Sequence, residues 1–101
     1  MGMIHKIARY KVKPEKLAEA HEAIKEFVAA VKENEPGTLL YHAYQERNSF
    51  HFYHIMTFAD SKAEETHRNS EHTKKLVAEL YPICDEPPRF GDLKLLASSD
   101  E

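Results

Sequence analysis

One eight-residue segment, 35–42 (EPGTLLYH), constrains the fold of this chain more than any other. Pro36 cannot continue a helical hydrogen-bond ladder, and Gly37 permits a tight reversal of the backbone. A helix must therefore end here. The residues that follow, 38–46, are predicted to form a strand. The segment thus predicts a helix that ends and a strand that begins in immediate succession.

Apolar periodicity predicts the elements on both sides of this segment. Residues 3–13 alternate at period two, which is typical of a strand, and residues 15–34 have the 3.6-residue period of an amphipathic helix. A further strand is predicted over 49–58. Arg47 and Asn48 would form a two-residue hairpin turn before it, because Asn tolerates positive φ.

Helix signals recur in the second half of the chain. Residues 61–64 (SKAE) match a capping box, which predicts a helix start at Ser61. Ser70 is predicted to cap another helix that runs to about Pro82. Pro87 and Pro88 are expected to break the chain, and a last strand is predicted over 89–97.

The resulting order, β-α-β-β-α-β, predicts an α+β ferredoxin-like fold, an antiparallel sheet with helices on one face. Residues 1–101 are expected to form a single domain with its core at about 3–97. With a two-residue turn, one face of the middle hairpin carries Leu39, Tyr41, Ala43, Phe50, Phe52, His54, Met56 and Phe58.

The other face of this hairpin is also rich in apolar and aromatic side chains: Leu40, His42, Tyr44, His51, Tyr53, Ile55 and Thr57. Helices on one side of the sheet leave that face uncovered. The same sheet of a second copy would cover it, which predicts a homodimer with two-fold symmetry. The alternative is a face that stays wet, because Tyr and His tolerate water.

Composition excludes several classes of protein. The net charge is −3 and the lysines alternate with glutamates, so nucleic-acid binding is not expected. No apolar run approaches the roughly 20 residues of a membrane span, and no signal-peptide core is present. Cys84 is the only cysteine, so no internal disulfide forms, and we interpret its thiol as a packing group. A cytoplasmic protein is expected.

Two of the seven histidines are separated by an informative interval. His67 and His72 are five residues apart and would not share a face of one continuous helix. They meet only if the helix breaks between them, with Ser70 as the cap of the second segment. His67 is then either a general base near neutral pH or a helix-end residue bonded to backbone. The spacing is not that of a zinc site, and no metal is expected.

His54 lies among aromatic residues of the hairpin. It is either a buried core residue or part of the lining of an aromatic pocket, with Tyr41 as its polar partner. Such a pocket would suit a flat, hydroxylated ring compound.

Three motifs occur in an order and spacing that resemble one family. Residues 35–41 (EPGTLLY) look like its turn-and-strand motif, 58–63 (FADSKA) like its helix entry, and 67–72 (HRNSEH) like its HxxSxH segment. Over about 3–97 the chain resembles the antibiotic biosynthesis monooxygenase (ABM) family. The resemblance implies a dimer whose sheets associate into a shared barrel, a dimeric α+β barrel.

The resemblance also implies a chemistry. Some members oxidise phenolic or quinol compounds with O₂ and use neither metal nor flavin, so no cofactor is expected and the partner is a small aromatic substrate. His67 or His72 would accept the phenolic proton, and Tyr41 or His54 would orient the ring. The apolar walls are expected from Phe27, Phe52 and Met56.

The chain departs from the family pattern at two places. Met56 stands where the family usually carries a glutamate. Ala8 stands where haem-degrading relatives use an asparagine, and the chain has no tryptophan. The missing glutamate keeps open a non-catalytic small-molecule-binding or stress-response dimer. An isomerase or decarboxylase-like enzyme on the same scaffold is a further alternative.

Overall fold

A computed structural model describes residues 2–100. Its strands are β1 (Ile4–Val12), β2 (Thr38–Gln45), β3 (His51–Phe58) and β4 (Cys84–Leu93), and its helices are α1 (Leu17–Asn34), α2 (Ser61–Arg68) and α3 (Glu71–Leu80). Short 3-10 helices, Pro14–Lys16 and Tyr81–Ile83, precede α1 and follow α3. The strands form one antiparallel sheet in the order β2-β3-β1-β4, which confirms the predicted ferredoxin-like fold.

The core lies between one face of the sheet and the helices. Its main cluster joins Tyr10, Val12 and Phe52 of the sheet to the apolar stripe of α1 and to Leu76 and Leu80 of α3. A smaller cluster of Ala8, Met56 and Phe58 packs against α2 through Ala63. The predicted helix-facing positions 52, 54, 56 and 58 of β3 are all buried. Because successive side chains of a strand point to opposite faces, only these alternate residues of β3 can reach the space between the sheet and the helices.

Gly37 has a role other than the predicted one. No glycine among residues 2–100 has positive φ, so no left-handed reversal requires it. A Cβ added at Gly37 would instead lie 2.6 Å from Cβ of Ala63, well inside van der Waals contact. The carbonyl of Gly37 also accepts a hydrogen bond from the amide of Ala59, at 2.8 Å. The missing side chain therefore lets the start of β2 pack directly against α2.

Two turn details differ from prediction. The loop between β2 and β3 is longer than two residues, because β3 begins only at His51, although Asn48 does have positive φ (59°). The cap of α2 is Asp60 and not Ser61, since the Asp60 carboxylate accepts from the amide of Ala63 at 2.8 Å. The predicted cap at Ser70 is confirmed by its bond from the amide of Thr73.

The prediction for the last strand was wrong at both ends. β4 begins at Cys84 and ends at Leu93, so Pro87 and Pro88 lie inside it. The pairing shifts register between Arg9 and Lys11, where two residues of β4 oppose one of β1. β4 is also at the edge of the sheet and has no neighbouring strand on its outer side. An amide hydrogen that is missing on that side therefore costs no hydrogen bond between strands.

The face of the sheet opposite the helices, here called the open face, carries Ile7, Leu40, His42, Tyr44, Tyr53 and Ile55. Its side chains are half-buried or exposed, and Tyr44 is 53% exposed. Leu39, which was predicted to lie on the helix-facing side, is also 55% exposed, because the register shifts between Thr38 and Leu40. Within residues 2–100, no helix is long and apolar enough to span a membrane.

Candidate functional site

A cavity of about 430 Å³ lies between the helices and the sheet. Its apolar lining includes Phe27 of α1, Met56 and Phe58 of β3, and Leu76 and Leu80 of α3. The lining residues Val77, Tyr81 and Phe90 are 38%, 39% and 63% exposed, which places the opening between α3 and β4. The volume and the aromatic walls are typical of a small-molecule site.

A buried carboxylate stands behind one wall of this cavity. Glu35 is only 5% exposed, and its oxygens accept hydrogen bonds from three side chains. Thr38 Oγ1 donates at 2.6 Å, His67 Nδ1 at 2.9 Å, and His72 Nε2 donates to the second oxygen. We call Glu35, Thr38, His67 and His72 the Glu35 cluster. Three donors satisfy the hydrogen-bonding capacity of this buried carboxylate.

A break between two helices brings the two histidines of this cluster together. α2 ends at Arg68, and Ser70 begins α3 by accepting from the amide of Thr73 at 3.2 Å. The hydroxyls of Ser70 and Thr73 also lie 2.9 and 2.7 Å from the carbonyl oxygen of His67. His67 and His72 therefore converge on one carboxylate, which the predicted break at Ser70 makes possible.

The bond to Glu35 determines which nitrogen of His67 remains free to accept a hydrogen bond. A carboxylate only accepts, so Nδ1 of His67 must carry the hydrogen. Nε2 is then the basic nitrogen. Nε2 has no hydrogen-bond partner among the described residues. Because no buried side-chain nitrogen or oxygen of these residues lacks a partner, Nε2 is not buried and is accessible. His67 lines the cavity, which places this acceptor at the cavity wall.

The ionisation of the Glu35 cluster supports an anionic carboxylate beside a neutral imidazole. Burial raises the pKa of Glu35, but hydrogen bonds from Thr38 and His72, together with His67, outweigh it and hold that pKa below its ordinary value. Burial lowers the pKa of His67, and the charge of Glu35 offsets this only in part. At neutral pH, Nε2 of His67 is therefore free to accept a proton.

A second polar cluster lies on the sheet side of the cavity. His54 is 2% exposed, and both of its ring nitrogens are bonded to tyrosine hydroxyls. Nε2 lies 2.7 Å from the hydroxyl of Tyr10, and Nδ1 lies 2.7 Å from that of Tyr41. We call these three residues the Tyr-His-Tyr cluster. All three line the cavity.

The Tyr-His-Tyr cluster is uncharged at neutral pH. Burial lowers the pKa of His54 to about 4, with a smaller contribution from His67. Burial also raises the pKa of both Tyr10 and Tyr41 far above the ordinary value. This cluster therefore offers hydrogen bonds to a ligand and not a charge.

The structure gathers most of the sequence-predicted site residues. His67, His54, Tyr41, Phe27 and Met56 all line the cavity. Two predicted residues do not.

His72 reaches Glu35 but is not part of the lining, and Phe52 lies behind Tyr10, stacked on its ring at 5.4 Å. Backbone bonding as an explanation of His67 was wrong, because the ring bonds to a carboxylate 32 residues away.

Glu35 and Tyr10 were missed. Both carried a physical signal. A carboxylate at the C-terminal end of a helix opposes the helix dipole, so Glu35 at the end of α1 needed another reason to be there. Tyr10 lies on the buried face of β1, where its hydroxyl must find a partner.

The described part of the chain has no group of three or more His, Cys, Asp or Glu side chains placed to hold a metal ion. In the Glu35 cluster the two imidazoles approach the carboxylate as donors, so the nitrogens that face it carry hydrogens and not free lone pairs.

Comparison with known proteins places the fold. The family model described as antibiotic biosynthesis monooxygenase matches residues 3–79. A candidate antibiotic biosynthesis monooxygenase from Caulobacter crescentus is 28% identical with a TM-score of 0.88, covering 95% of this chain and 92% of its own. A conserved protein from Methanosarcina mazei is 25% identical with a TM-score of 0.84, covering 93% of each chain.

A candidate antibiotic biosynthesis monooxygenase from Bacteroides thetaiotaomicron has a TM-score of 0.88, covering 97% of this chain and 93% of its own. At 23% identity, this likeness bears on the fold alone. No curated protein shows a significant sequence match.

Proposed function

The chain belongs to the antibiotic biosynthesis monooxygenase family, and on that premise we propose that it is a cofactor-independent monooxygenase of a small phenolic or quinol compound. The observation that supports this proposal best is the acceptor nitrogen of His67. It faces an aromatic cavity and is backed by the buried carboxylate of Glu35. A base placed beside an apolar pocket is what the oxidation of an aromatic hydroxyl compound requires.

In the first step, Nε2 of His67 takes the proton of the ring hydroxyl. The imidazolium that forms lies 2.9 Å from a carboxylate oxygen of Glu35, which stabilises its charge. The phenolate left in the cavity is electron-rich and reacts with O₂. The apolar walls, Phe27, Met56 and Phe58, exclude water from this anion.

The overall reaction needs no external reductant. A quinol and one O₂ give a hydroxyquinone and one water. One oxygen atom of O₂ forms the new carbon–oxygen bond and the other leaves as water. All four electrons that reduce O₂ come from the quinol ring. The competing autoxidation yields a quinone and hydrogen peroxide and leaves no oxygen atom on carbon.

Oxygen consumption with a 1,4-naphthoquinol tests this proposal when it is combined with ¹⁸O₂ labelling. We expect the parent to incorporate one labelled atom, and His67→Gln to react about 100-fold more slowly, since positioned bases contribute on that order. His54→Gln should also be slower. His21→Gln is the matched control, because His21 bonds to Gln45 outside the cavity.

Two results would contradict the oxygenase proposal. One is oxygen uptake by the parent no faster than the buffer blank. The other is equal uptake by the parent and the His67→Gln variant.

One observation favours a binding protein as the second candidate. Met56 is buried at 4% exposure and lines the cavity where the family resemblance expects a carboxylate. A ligand that raises the melting temperature while no oxygen is consumed would indicate a non-catalytic binder.

We also propose that the chain forms a homodimer through its open face. Tyr44 exposes 53% of its surface, and Leu93, whose pairing with His5 places it on the same face, exposes 42%. The described chain offers no helix on the open side to cover them. We expect sedimentation of a dimer at micromolar concentration, and of a folded monomer for Tyr44→Glu. Glu22→Lys, at an exposed position of α1 on the other side of the sheet, serves as the control. A well-folded parent monomer would contradict this proposal.

A further inference from the structure

The Tyr-His-Tyr cluster carries one more hydrogen than its two hydrogen bonds use. Each tyrosine hydroxyl brings one hydrogen, and a neutral imidazole brings one more. Only two bonds join the three groups, Tyr10 to Nε2 and Tyr41 to Nδ1 of His54. One hydrogen is therefore always left over.

The surplus hydrogen sits on a tyrosine hydroxyl in either tautomer of His54. With the hydrogen on Nε2, the ring donates to Tyr10 and accepts from Tyr41, so the hydroxyl hydrogen of Tyr10 is unused. With the hydrogen on Nδ1, the roles reverse and the hydrogen of Tyr41 is unused. Neither hydroxyl has another partner among residues 2–100.

The cavity is where this hydrogen can be used. Tyr10 and Tyr41 both line it, and neither hydroxyl has a second hydrogen-bond partner among the described residues. A ligand oxygen that accepts would therefore meet a donor from one tyrosine or the other. A change of tautomer at His54 moves the donor between two positions without moving a heavy atom.

The Glu35 cluster presents the opposite group. Its carboxylate takes the Nδ1 hydrogen of His67, so the cavity-facing Nε2 only accepts. The ring of Tyr41 lies between the two clusters, with its centroid 5.5 Å from the ring of His54 and 5.5 Å from that of His67. The cavity thus has the acceptor nitrogen of His67 on one side and a movable donor on the other, besides the polar side chains of Lys6, Glu64, Arg68 and Thr73 that also line it.

We infer that the cavity selects a ring whose two oxygens take different roles: a hydroxyl that donates to His67, and a second oxygen that accepts from Tyr10 or Tyr41, as the second hydroxyl of a quinol also can. Keto and ether oxygens can take this second role as well. The inference rests on the proposed function only for the choice of an aromatic hydroxyl compound as ligand. It makes Tyr10 a specificity-determining residue that the family motifs do not include.

Anaerobic calorimetry tests the inference without any turnover. The probes are 1-naphthol, which has the hydroxyl alone, and 4-methoxy-1-naphthol, which adds an oxygen that only accepts. We expect the added oxygen to improve affinity about fivefold in the parent, the size of one net hydrogen bond. In the double variant Tyr10→Phe/Tyr41→Phe this gain should vanish, while 1-naphthol still binds.

His67→Leu is the reciprocal variant, because leucine offers no hydrogen-bond acceptor, whereas glutamine would keep one. There the gain from the methoxy oxygen should persist, while the preference for 1-naphthol over 1-methoxynaphthalene should be lost. If the methoxy oxygen does not improve affinity in the parent, the inference is overturned, whether or not the double variant folds. It is also overturned if the improvement persists in the double variant. These measurements do not depend on oxygen uptake. Failure of the oxygenase proposal can therefore be distinguished from failure of the inferred ligand selectivity.

Discussion

The two polar clusters that face the cavity hold histidines in opposite electrostatic settings. In the Glu35 cluster, a buried carboxylate accepts from three donors, and its charge favours a proton on His67. In the Tyr-His-Tyr cluster, the histidine meets only neutral hydroxyls, and burial lowers its pKa to about 4. The same side chain is thus prepared to take up a proton at one wall and to stay neutral at the other.

The clusters also differ in what positions them. The Glu35 cluster combines the end of α1, the end of α2 and the start of α3, so its geometry depends on caps and junctions. The Tyr-His-Tyr cluster lies on β1, β2 and β3, where the register pairs Ala8 and Ala43 with His54. Substitutions should therefore affect one cluster and spare the other.

The largest expected effect is on the Glu35 cluster. Glu35→Ala leaves donors of Thr38, His67 and His72 without their acceptor in a buried site, which should lower the free energy of unfolding by about 3 kcal/mol. Urea denaturation measures this loss. Glu33→Ala, at an exposed position of α1, should change stability by less than about 0.5 kcal/mol. Equal losses in the two variants would show that the carboxylate does not organise the cluster.

The next effect belongs to His54 and depends on pH. The unfolded chain binds a proton at His54 below about pH 6.5, but the folded chain does so only below about 4, so acidification favours unfolding within this window. Between pH 7.5 and 5 the parent should lose about 2 kcal/mol more than His54→Gln, which has no titrating group there.

Urea titrations at the two pH values measure this difference. The pKa of His67 is also lowered and acts in the same direction, but in both proteins, so it cancels in the comparison. The pKa of Glu35 is lowered from 4.5, so its contribution is lost mostly below this range. Identical pH profiles for the parent and His54→Gln would contradict the assignment.

The smallest effect concerns the junction that joins His67 to His72. Ser70→Ala removes the cap of α3 and should cost about 1 kcal/mol. Ser61→Ala is the matched control, since Asp60 and not Ser61 caps α2, and its cost should be close to zero. Thermal unfolding compares the two variants. If Ser61→Ala lowered stability as much as Ser70→Ala does, Ser61 would be the cap of α2, as the capping-box pattern predicts.

Most of the fold could be predicted because its signals are local. The apolar periods of β1 and α1 and the break at Pro36 identify elements without knowledge of the partners they pack against. β4 could not be predicted in this way. Whether Pro87 and Pro88 break a strand depends on whether that strand is at the edge of a sheet and opposite a bulge, which is a property of the assembled sheet.

Part of the candidate site could be predicted because its signal is local. Other residues of the site were missed because their partners are distant in sequence. The break at Ser70 is a local signal, and it supplies the condition under which His67 and His72 can meet. Their shared partner, Glu35, is more than 30 residues away in sequence, and its position beside Pro36 led us to interpret it only as part of a helix stop. Tyr10 was missed because its partner His54 is 44 residues distant.

The two prolines of β4 have a consequence for how chains of this protein can meet. Neither Pro87 nor Pro88 has an amide hydrogen to offer, and both lie on an outermost strand. A strand of another molecule that paired with β4 would lack hydrogen-bond donors at these two positions. This edge of the sheet therefore does not support continuous addition of strands. The fold thereby disfavours fibre-like growth at β4, while the opposite edge, β2, carries no proline.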